Sequence, residues 1–323
     1  MELGVGTAPP AGQGPLPTAL LPPAPLAATF AVAGVAKPLP NLGWACTGPE
    51  DAAAAINAGA LLLDTSGDAS TEAALTAVGE GTPGSTPFIV SAVQGPDRAK
   101  KDIDGFRTLS GGAAALECIT ARLGGTAPDL VLLPAAGWAS GAAAEIADAG
   151  VAVGLVCDTG AAAAVAQVNE ILATAGAPTL AALKLQLDPT TAKIQRSKST
   201  TNPQYNLVSR DAPDKLLTIA VLIGLCKRRG IRILAADPLG GADCAAALKE
   251  RVLAGVEDGT TDTAAVLLGW CIGRGIVALP SAADGVAPEA VLGKAVLPID
   301  STTRSGLDAA ASQDGLRAAA VTE

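Results

Sequence analysis

The sequence predicts a (β/α)8 TIM barrel, and three observations support this fold class. Short runs of consecutive apolar residues recur along the chain, as in parallel strands that are covered on both faces. Ala-rich segments with helical spacing separate these runs, and such alternation is typical of a parallel α/β fold. The count of strand-like runs approaches eight, which favours a closed barrel over an open sheet.

The predicted strands begin near residue 43, with the first expected at Gly43–Cys46. Six further runs are Leu61–Leu63, Phe88–Val90, Leu130–Leu133, Val151–Val156, Ile231–Ala235 and Ile276–Leu279. One more strand is expected between Leu180 and Val208. It is either Leu183–Leu187 or the run at 203–208 that enters Tyr205, and the sequence leaves both placements open.

Helical spacing predicts helices between these strands. Examples are Gly112–Leu123, Ala161–Thr174, Asp214–Arg229 and Thr261–Arg274. Gly124, Gly230 and Gly275 follow three of them, where glycine commonly ends a helix in a left-handed conformation. The polar and basic stretch at Thr190–Pro203 breaks the alternation and is predicted to be a surface loop.

Residues 1–40 form a Pro- and Ala-rich segment that differs in composition from the barrel domain expected over 41–323. Seven prolines precede Ala36, and no basic residue precedes Lys37. Such a segment is expected to be extended rather than to form its own core. It lacks the basic residues of a secretory signal or a mitochondrial presequence. The cytoplasm is therefore the expected compartment, and a cytoskeletal, ciliary or organellar complex remains the alternative.

Composition excludes several classes of function. The chain has no histidine, which rules out Ser-His-Asp catalysis and histidine-ligated metals. Its net charge of -9 and its 2% aromatic content argue against binding to nucleic acid or to anionic membranes. No apolar stretch of the length of a membrane-spanning helix lacks Pro or charge. None of the six cysteines forms a C-x-x-C pair. We therefore expect the cysteines to behave as buried small apolar residues and to form no metal site.

Four segments, in order and at the right spacing, resemble the signature motifs of the aldo-keto reductase family. They are DAAAAINAGALLLDTSGDASTEAAL (Asp51–Leu75), AALECITARLGGTAPDLVLL (Ala114–Leu133), NPQYNLVSRDAPDKLLTIAVLIGLCKRRGIRILAADPLGG (Asn202–Gly241) and TAAVLLGWCIGRGIVALPSA (Thr263–Ala282). The resemblance covers roughly residues 43–300. It implies an aldo-keto-reductase-like barrel, the same fold that periodicity predicts.

The family reduces carbonyl groups with a nicotinamide cofactor, and the resemblance implies a catalytic Tyr supported by Lys, Asp and His. Only the aspartate is retained, as Asp64. The other three fall on residues without a titratable group: the tyrosine on Ala69, the lysine on Ala92 and the histidine on Pro134. The single tyrosine of the chain, Tyr205, belongs to a different motif. No catalytic residue is therefore expected.

The family's cofactor contacts are changed as well. The positions that hold the nicotinamide carboxamide and stack on its ring carry Val156, Cys157, Asn202 and Ala236. If Leu183–Leu187 is the sixth strand, the carboxamide position at Asn202 moves to Lys184. The position beside the stacking ring carries Asp237, whose negative charge opposes a pyrophosphate. The basic residue that binds the 2′-phosphate falls near Ala283 or Asp284. The resemblance thus implies no cofactor, with NADP as the alternative.

Two acidic residues of the first motif remain to be explained. Asp64 is interpreted as a strand-end carboxylate that binds backbone or hydroxyl groups, in preference to a remnant of catalysis. Glu72 is predicted to be a surface residue of a helix.

The leading hypothesis is a catalytically inactive aldo-keto-reductase-like protein that serves as a structural or scaffolding subunit. Its protein partners are expected to bind residues 1–40 and the barrel surface. The alternative is an NADPH-dependent oxidoreductase with relocated residues, such as Lys184, Tyr205 or the loop Lys193–Lys198. A regulatory subunit, comparable in role to the aldo-keto-reductase-like subunits of potassium channels or of glutamate–cysteine ligase, is a third reading.

Overall fold

The chain folds around a sheet of eight parallel strands whose two edges meet. The computed structural model describes residues 29–79, 86–93, 111–158, 161–187, 215–240 and 263–292. A hairpin of β1 (Thr29–Val32) and β2 (Val35–Pro40) precedes the sheet. The sheet consists of β3 (Trp44–Ala45), β4 (Leu62–Asp64), β5 (Phe88–Ala92), β6 (Leu130–Leu133), β7 (Ala152–Cys157), β8 (Leu180–Gln186), β9 (Arg232–Ala236) and β10 (Val277–Leu279).

Backbone hydrogen bonds join the first strand of the sheet to the last. Each strand pairs in parallel with the next one along the chain. Gly43 N donates to Ala278 O at 3.0 Å, and Ala45 N donates to Pro280 O at 2.9 Å. Parallel bridges also link Leu42 to Ala278 and Ala45 to Ser281. The predicted barrel is therefore confirmed, and its sixth strand is β8.

Helices connect the strands on the outside of the barrel. They are α1 (Pro49–Asn57), α2 (Ala69–Gly79), α3 (Gly112–Arg122), α4 (Ala135–Ala139), α5 (Ala142–Asp148), α6 (Ala161–Ala173), α7 (Lys215–Arg229), α8 (Thr263–Ile272) and α9 (Pro288–Leu292). The four helices predicted from spacing are present to within two residues at each end. The glycines predicted to end three of them, Gly124, Gly230 and Gly275, all have positive φ.

Successive side chains of each strand point to opposite faces of the sheet, so the apolar side chains form two clusters. One cluster lies between strands and helices and includes Leu183, Leu185 and Ile233. The other fills the barrel and includes Leu62, Val90 and Leu132 together with small residues such as Ala152, Ala181 and Ala182. The interior is tight at Gly154, where an added Cβ would lie 2.6 Å from Leu132 Cδ2. Only glycine lets β7 approach its neighbours this closely.

The hairpin β1–β2 covers the amino-terminal end of the barrel. Val32 and Leu39 are buried within the interior cluster, at the floor of the barrel. Arg232, at the start of β9, donates from Nε to Ala31 O at 3.1 Å, and its guanidinium lies 4.8 Å from the Phe30 ring centroid. Residues 29–40 are thus extended, and they belong to the packing of the barrel.

A lysine holds the second hairpin strand to the same end. Lys37 Nζ donates to Pro87 O at 2.6 Å and lies 3.4 Å from Asp129 Oδ2. Residues 1–28 and the predicted loop at Thr190–Pro203 lie outside the described residues. The division of the chain at residue 40 stays a prediction.

We expect Leu39→Ala to lower the free energy of unfolding by about 2–5 kcal/mol, because it leaves a cavity under the barrel floor. Leu61→Ala is the matched control. Leu61 is 53% exposed, whereas Leu39 is fully buried, so the control should change stability by no more than about 0.5 kcal/mol. Urea denaturation measures both. Equal effects of the two substitutions would show that the hairpin is not part of the folded core.

Candidate functional site at the carboxyl end of the barrel

An ion pair crosses the carboxyl end of the barrel. Asp64, the last residue of β4, is fully buried, and its Oδ2 contacts Lys184 Nζ from β8. The Lys184 side chain is only 13% exposed. Val156 and Leu234 are the register partners of Lys184 on the two neighbouring strands. The charged pair therefore lies on largely apolar walls, where water screens it little.

The turn after β4 fixes the orientation of this pair. Ser66 has a φ of 51°, a left-handed conformation that is uncommon for a non-glycine residue. In this conformation its N–H donates to Asp64 Oδ1 at 2.8 Å, and its Oγ accepts a 3.0 Å hydrogen bond from Lys184 Nζ. One strained residue thus contacts both members of the pair, which is typical of functional sites.

The interpretation of Asp64 as a strand-end carboxylate that binds backbone and hydroxyl groups describes only half of its environment. Its bond from the Ser66 backbone agrees with that interpretation. The contact with Lys184 was not predicted. Lys184 was considered as an alternative position in the sixth strand and as a relocated residue of an oxidoreductase, and the structure places that strand at Leu180–Gln186.

The positions of the three lost catalytic residues lie at the start of α2 and at the ends of β5 and β6. Ala92 ends β5 and is buried among the interior residues, and Pro134 follows β6 and is half-buried. Ala69 is exposed at the first position of α2. None of these side chains can donate or accept a proton. Tyr205 and Asn202 lie outside the described residues.

The positions expected to hold a cofactor lie at the ends of β7 and β9 and, because β8 is the sixth strand, at Lys184. Val156 packs against the interior cluster, whereas Cys157 is buried in the outer cluster and faces the helices. Ala236 ends β9, and Asp237 follows it with a φ of 50°. The Asp237 carboxylate accepts a hydrogen bond from Ser281 Oγ at 3.2 Å.

A capping box after β10 adds a second carboxylate to this side of the barrel. Asp284 is buried, and its Oδ2 accepts a hydrogen bond from Ser281 N at 3.1 Å. Ser281 thereby joins Asp237 and Asp284. Ala283, which directly precedes Asp284 in the sequence, is exposed. This part of the rim thus carries two carboxylates, those of Asp237 and Asp284.

The prediction that Glu72 is a surface residue is wrong. Glu72 is fully buried, and its carboxylate accepts hydrogen bonds from Thr65 Oγ1 at 3.1 Å and from Ser91 Oγ. Arg122 of α3 lies 3.0 Å from its other oxygen and also donates to Cys118 Sγ. Because α2 packs against the outer side of β5, Glu72 faces the sheet, where these partners satisfy it.

Burial dominates the protonation of Glu72. Desolvation raises the pKa of its carboxyl above the ordinary value of 4.5, although the bond from Ser91 and the charge of Arg122 oppose this shift. Burial likewise raises the pKa of the Cys46 thiol far above its usual value, and the nearby carboxylates of Asp64 and Asp51 add to the effect. The Cys46 thiol therefore stays protonated and is a poor nucleophile.

The cysteines mostly behave as the sequence predicts. Among the described residues, Cys46, Cys157, Cys226 and Cys271 are buried, and Cys118 is half-buried. Burial raises the pKa of Cys226 to about 12.

Within the described ranges no helix is long and apolar enough to span a membrane.

Comparison with known proteins finds relatives only at the level of structure. No family model matches the sequence, and no curated protein does. Gox0644 in its apo form superposes with a TM-score of 0.62 at 16% identity, covering 89% of this chain and 94% of that one. An aldo-keto reductase from Brucella melitensis gives 0.61 at 14% identity, covering 87% and 100%. AKR2E5, an aldo-keto reductase solved with NADPH, gives 0.58 at 16% identity, covering 86% of each chain.

These similarities establish the aldo-keto reductase fold for the chain. The identities are too low to transfer an activity, because one fold hosts many functions. The function must therefore be argued from the residues at the carboxyl end of the barrel.

We expect the free energy of unfolding to fall as pH rises from about 4.5, the ordinary pKa of Glu72, through the raised pKa that Glu72 has in the folded protein. The cause is the burial of this carboxyl group. In that interval the folded protein holds a proton that the unfolded chain has released. The stability of the wild type minus that of Glu72→Gln should therefore decrease with pH. Urea denaturation between about pH 4.5 and 7 measures this difference.

Glu117→Gln is the control, because Glu117 is an exposed carboxylate on α3. Replacing this exposed side chain should change the free energy of unfolding by no more than about 0.5 kcal/mol. A difference that grows with pH for Glu72→Gln would mean that the ion pair with Arg122 outweighs the effect of burial.

Proposed function

We propose that this chain is an aldo-keto-reductase-like barrel that does not transfer hydride and that serves as a structural subunit of a protein assembly. The observation that carries the proposal is the Asp64–Lys184 pair. The resemblance implies a tyrosine proton donor beside Asp64, but the position of that tyrosine carries Ala69, and the Asp64 carboxylate contacts Lys184 from β8.

The missing proton donor supports this proposal. Reduction of a carbonyl requires an acid that protonates the developing alkoxide. The resemblance assigns that role to the position of Ala69, which carries a methyl group at the exposed start of α2. Ala92 and Pro134 offer no substitute at the two adjacent positions.

The residues at the expected cofactor positions do not fit a nicotinamide dinucleotide. Val156 offers no polar group to a carboxamide, and the Cys157 side chain is buried on the outer side of the sheet. Ala236 has no ring to stack on nicotinamide. The carboxylates of Asp237 and Asp284 lie near Ser281, where their charge would repel a phosphate.

Retention of the barrel itself supports a structural role. The strand closure, the floor hairpin and both apolar clusters are intact. A chain that keeps its packing but changes its reactive positions retains a surface on which partners can bind. Since residues 29–40 pack on the barrel, the N-terminal contact with partners is assigned to residues 1–28, which supply prolines and separate leucines.

The alternative function, an NADPH-dependent oxidoreductase with relocated residues, draws support from the same ion pair. Lys184 re-creates the contact between lysine and aspartate that the resemblance implies, although from β8 instead of β5. Its ammonium group could then act as the proton donor. This alternative requires dinucleotide binding, which makes binding the discriminating measurement.

We expect isothermal titration calorimetry with NADPH to give no saturable binding up to about 1 mM, because stacking, amide and phosphate contacts are all changed. AKR2E5, which was solved with NADPH, serves as the positive control. Micromolar binding by this chain, together with turnover of a short aldehyde that Lys184→Met abolishes, would establish the oxidoreductase instead.

We expect deletion of residues 1–28 to leave the thermal unfolding of the barrel unchanged and to reduce the size of the native assembly in which the full chain is found. The deletion ends before the hairpin, so Val32 and Leu39 keep their contacts. Circular dichroism and size-exclusion chromatography of a native extract measure the two effects. If the truncated chain assembles as the full chain does, residues 1–28 are not the contact; if the full chain is monomeric, there is no assembly.

A further inference from the structure

We propose that the Asp64–Lys184 ion pair is an internal plug that closes the carboxyl end of the barrel to small molecules. Barrel enzymes bind their substrates at this end of the strands, so the pair acts as a built-in autoinhibitory contact. This inference goes beyond the structural role proposed above and does not depend on it, because the plug belongs to the folded barrel whether or not the chain joins an assembly.

Asp64 and Lys184 project into the barrel from opposite strands. In the closed sheet, three strands separate β4 from β8 in either direction around the ring. Successive side chains of a strand point to opposite faces, and the two neighbours of Lys184, Leu183 and Leu185, lie in the outer cluster. Leu63, which precedes Asp64, lies there as well. Both charged side chains therefore face the interior, and their contact spans the barrel.

Small side chains beside the pair leave the space that Lys184 crosses. Ala45 is the register partner of Asp64 on β3, and Ala92 ends β5. Ala92 belongs to the interior cluster, and both Ala45 and Val156, the register partner of Lys184 on β7, pack against it. The methylene groups of a lysine can cover apolar surface while its ammonium group reaches a polar partner. Lys184, which is largely buried, thus fills the end of the barrel between these neighbours.

Electrostatic interactions hold the plug in place. Asp64 is fully buried, so withdrawal of Lys184 would leave an uncompensated carboxylate away from water. Ser66 adds a second tether, because its Oγ accepts a hydrogen bond from Lys184 Nζ at 3.0 Å. The Ser66 N–H also donates to Asp64 Oδ1 at 2.8 Å and so fixes the carboxylate. Opening of the barrel end therefore requires both contacts of the ammonium group to break.

Acetylation of the full-length protein tests whether Lys184 is held inside. The folded protein receives a short pulse of sulfosuccinimidyl acetate, which modifies accessible amines, and peptide mass spectrometry follows each lysine. We expect Lys184 to react at least about tenfold more slowly than the exposed Lys227 of α7. In urea the two lysines should react at similar rates. Equal rates in the folded protein would show that the barrel end is open and would overturn the proposal.

A single variant tests whether Asp64 holds the lysine. Asp64→Asn keeps the size of the side chain but removes its charge, so acetylation of Lys184 should become about tenfold faster. Glu117→Gln removes an exposed carboxylate of α3 and is the matched control, which should leave the rate at Lys184 unchanged. If Asp64→Asn is folded by circular dichroism and Lys184 reacts at the wild-type rate, the ion pair does not hold the plug and the proposal is wrong.

Two double variants test whether Lys184 occupies space that a small molecule can enter. Asp64→Asn with Lys184→Ala removes the plug without leaving a buried charge, whereas Asp64→Asn with Lys184→Met keeps a side chain of similar length. Xenon binds in apolar cavities of proteins, and its NMR chemical shift reports binding. We expect the alanine variant to bind xenon at a site that the wild type and the methionine variant lack.

Two results of the xenon experiment contradict the proposal. A folded alanine variant that binds no more xenon than the wild type would show that Lys184 fills no such space. Equal additional binding by the methionine variant would show that loss of charge, and not loss of the plug, opens the barrel. If either double variant fails to fold, the comparison of Lys184 with Lys227 in the wild type decides the question.

Discussion

Closure of the sheet is the constraint on which the rest of the molecule depends. Three backbone hydrogen bonds, from Gly43 N to Ala278 O, from Ala45 N to Pro280 O and from Ala278 N to Asn41 O, convert an open sheet into a ring. In a ring of eight strands the interior is just wide enough to be filled by side chains. That limit explains the small interior residues, the glycine at 154 and the need for a separate hairpin to cover the floor.

The same closure explains why an aspartate and a lysine far apart in sequence meet. Inward-facing positions at the ends of nonadjacent strands converge on one small region of a narrow barrel. Asp64 and Lys184 both face inward, and each is too costly to bury alone as a charge. Their contact therefore compensates for the burial of both charges.

Periodicity predicted most of the fold because burial on both faces leaves a continuous apolar signal in each strand. The strand at Leu130–Leu133 coincides with its prediction, β5 ends two residues later and β8 begins three residues earlier than predicted, and the bounds of the other strands differ by one residue at most. Leu61, predicted to begin a strand, is instead more than half exposed before β4. The sixth strand was ambiguous because two nearby runs satisfied the same pattern, and only pairing with β7 and β9 distinguishes them.

The site was harder to predict than the fold, since its residues interact over long sequence separations. Lys184 Nζ and Ser66 Oγ belong to residues 118 positions apart, and Arg122 meets Glu72 from 50 positions away. No local pattern marks either contact. The motif comparison located Asp64 and the three positions whose catalytic residues are lost. It compared each position only with its own counterpart in the motif and therefore did not predict that Lys184 of β8 contacts Asp64.

The floor hairpin has a consequence for synthesis of the chain on the ribosome. Arg232, which binds the Ala31 carbonyl, follows it by 201 residues. At translation rates of about 5–20 residues per second, the hairpin emerges roughly 10–40 s before that partner exists. A two-stranded hairpin is at most marginally stable by itself. During this interval Leu39 and Val32 have no complete barrel to cover, so the nascent chain presents apolar surface that is a natural target for chaperones.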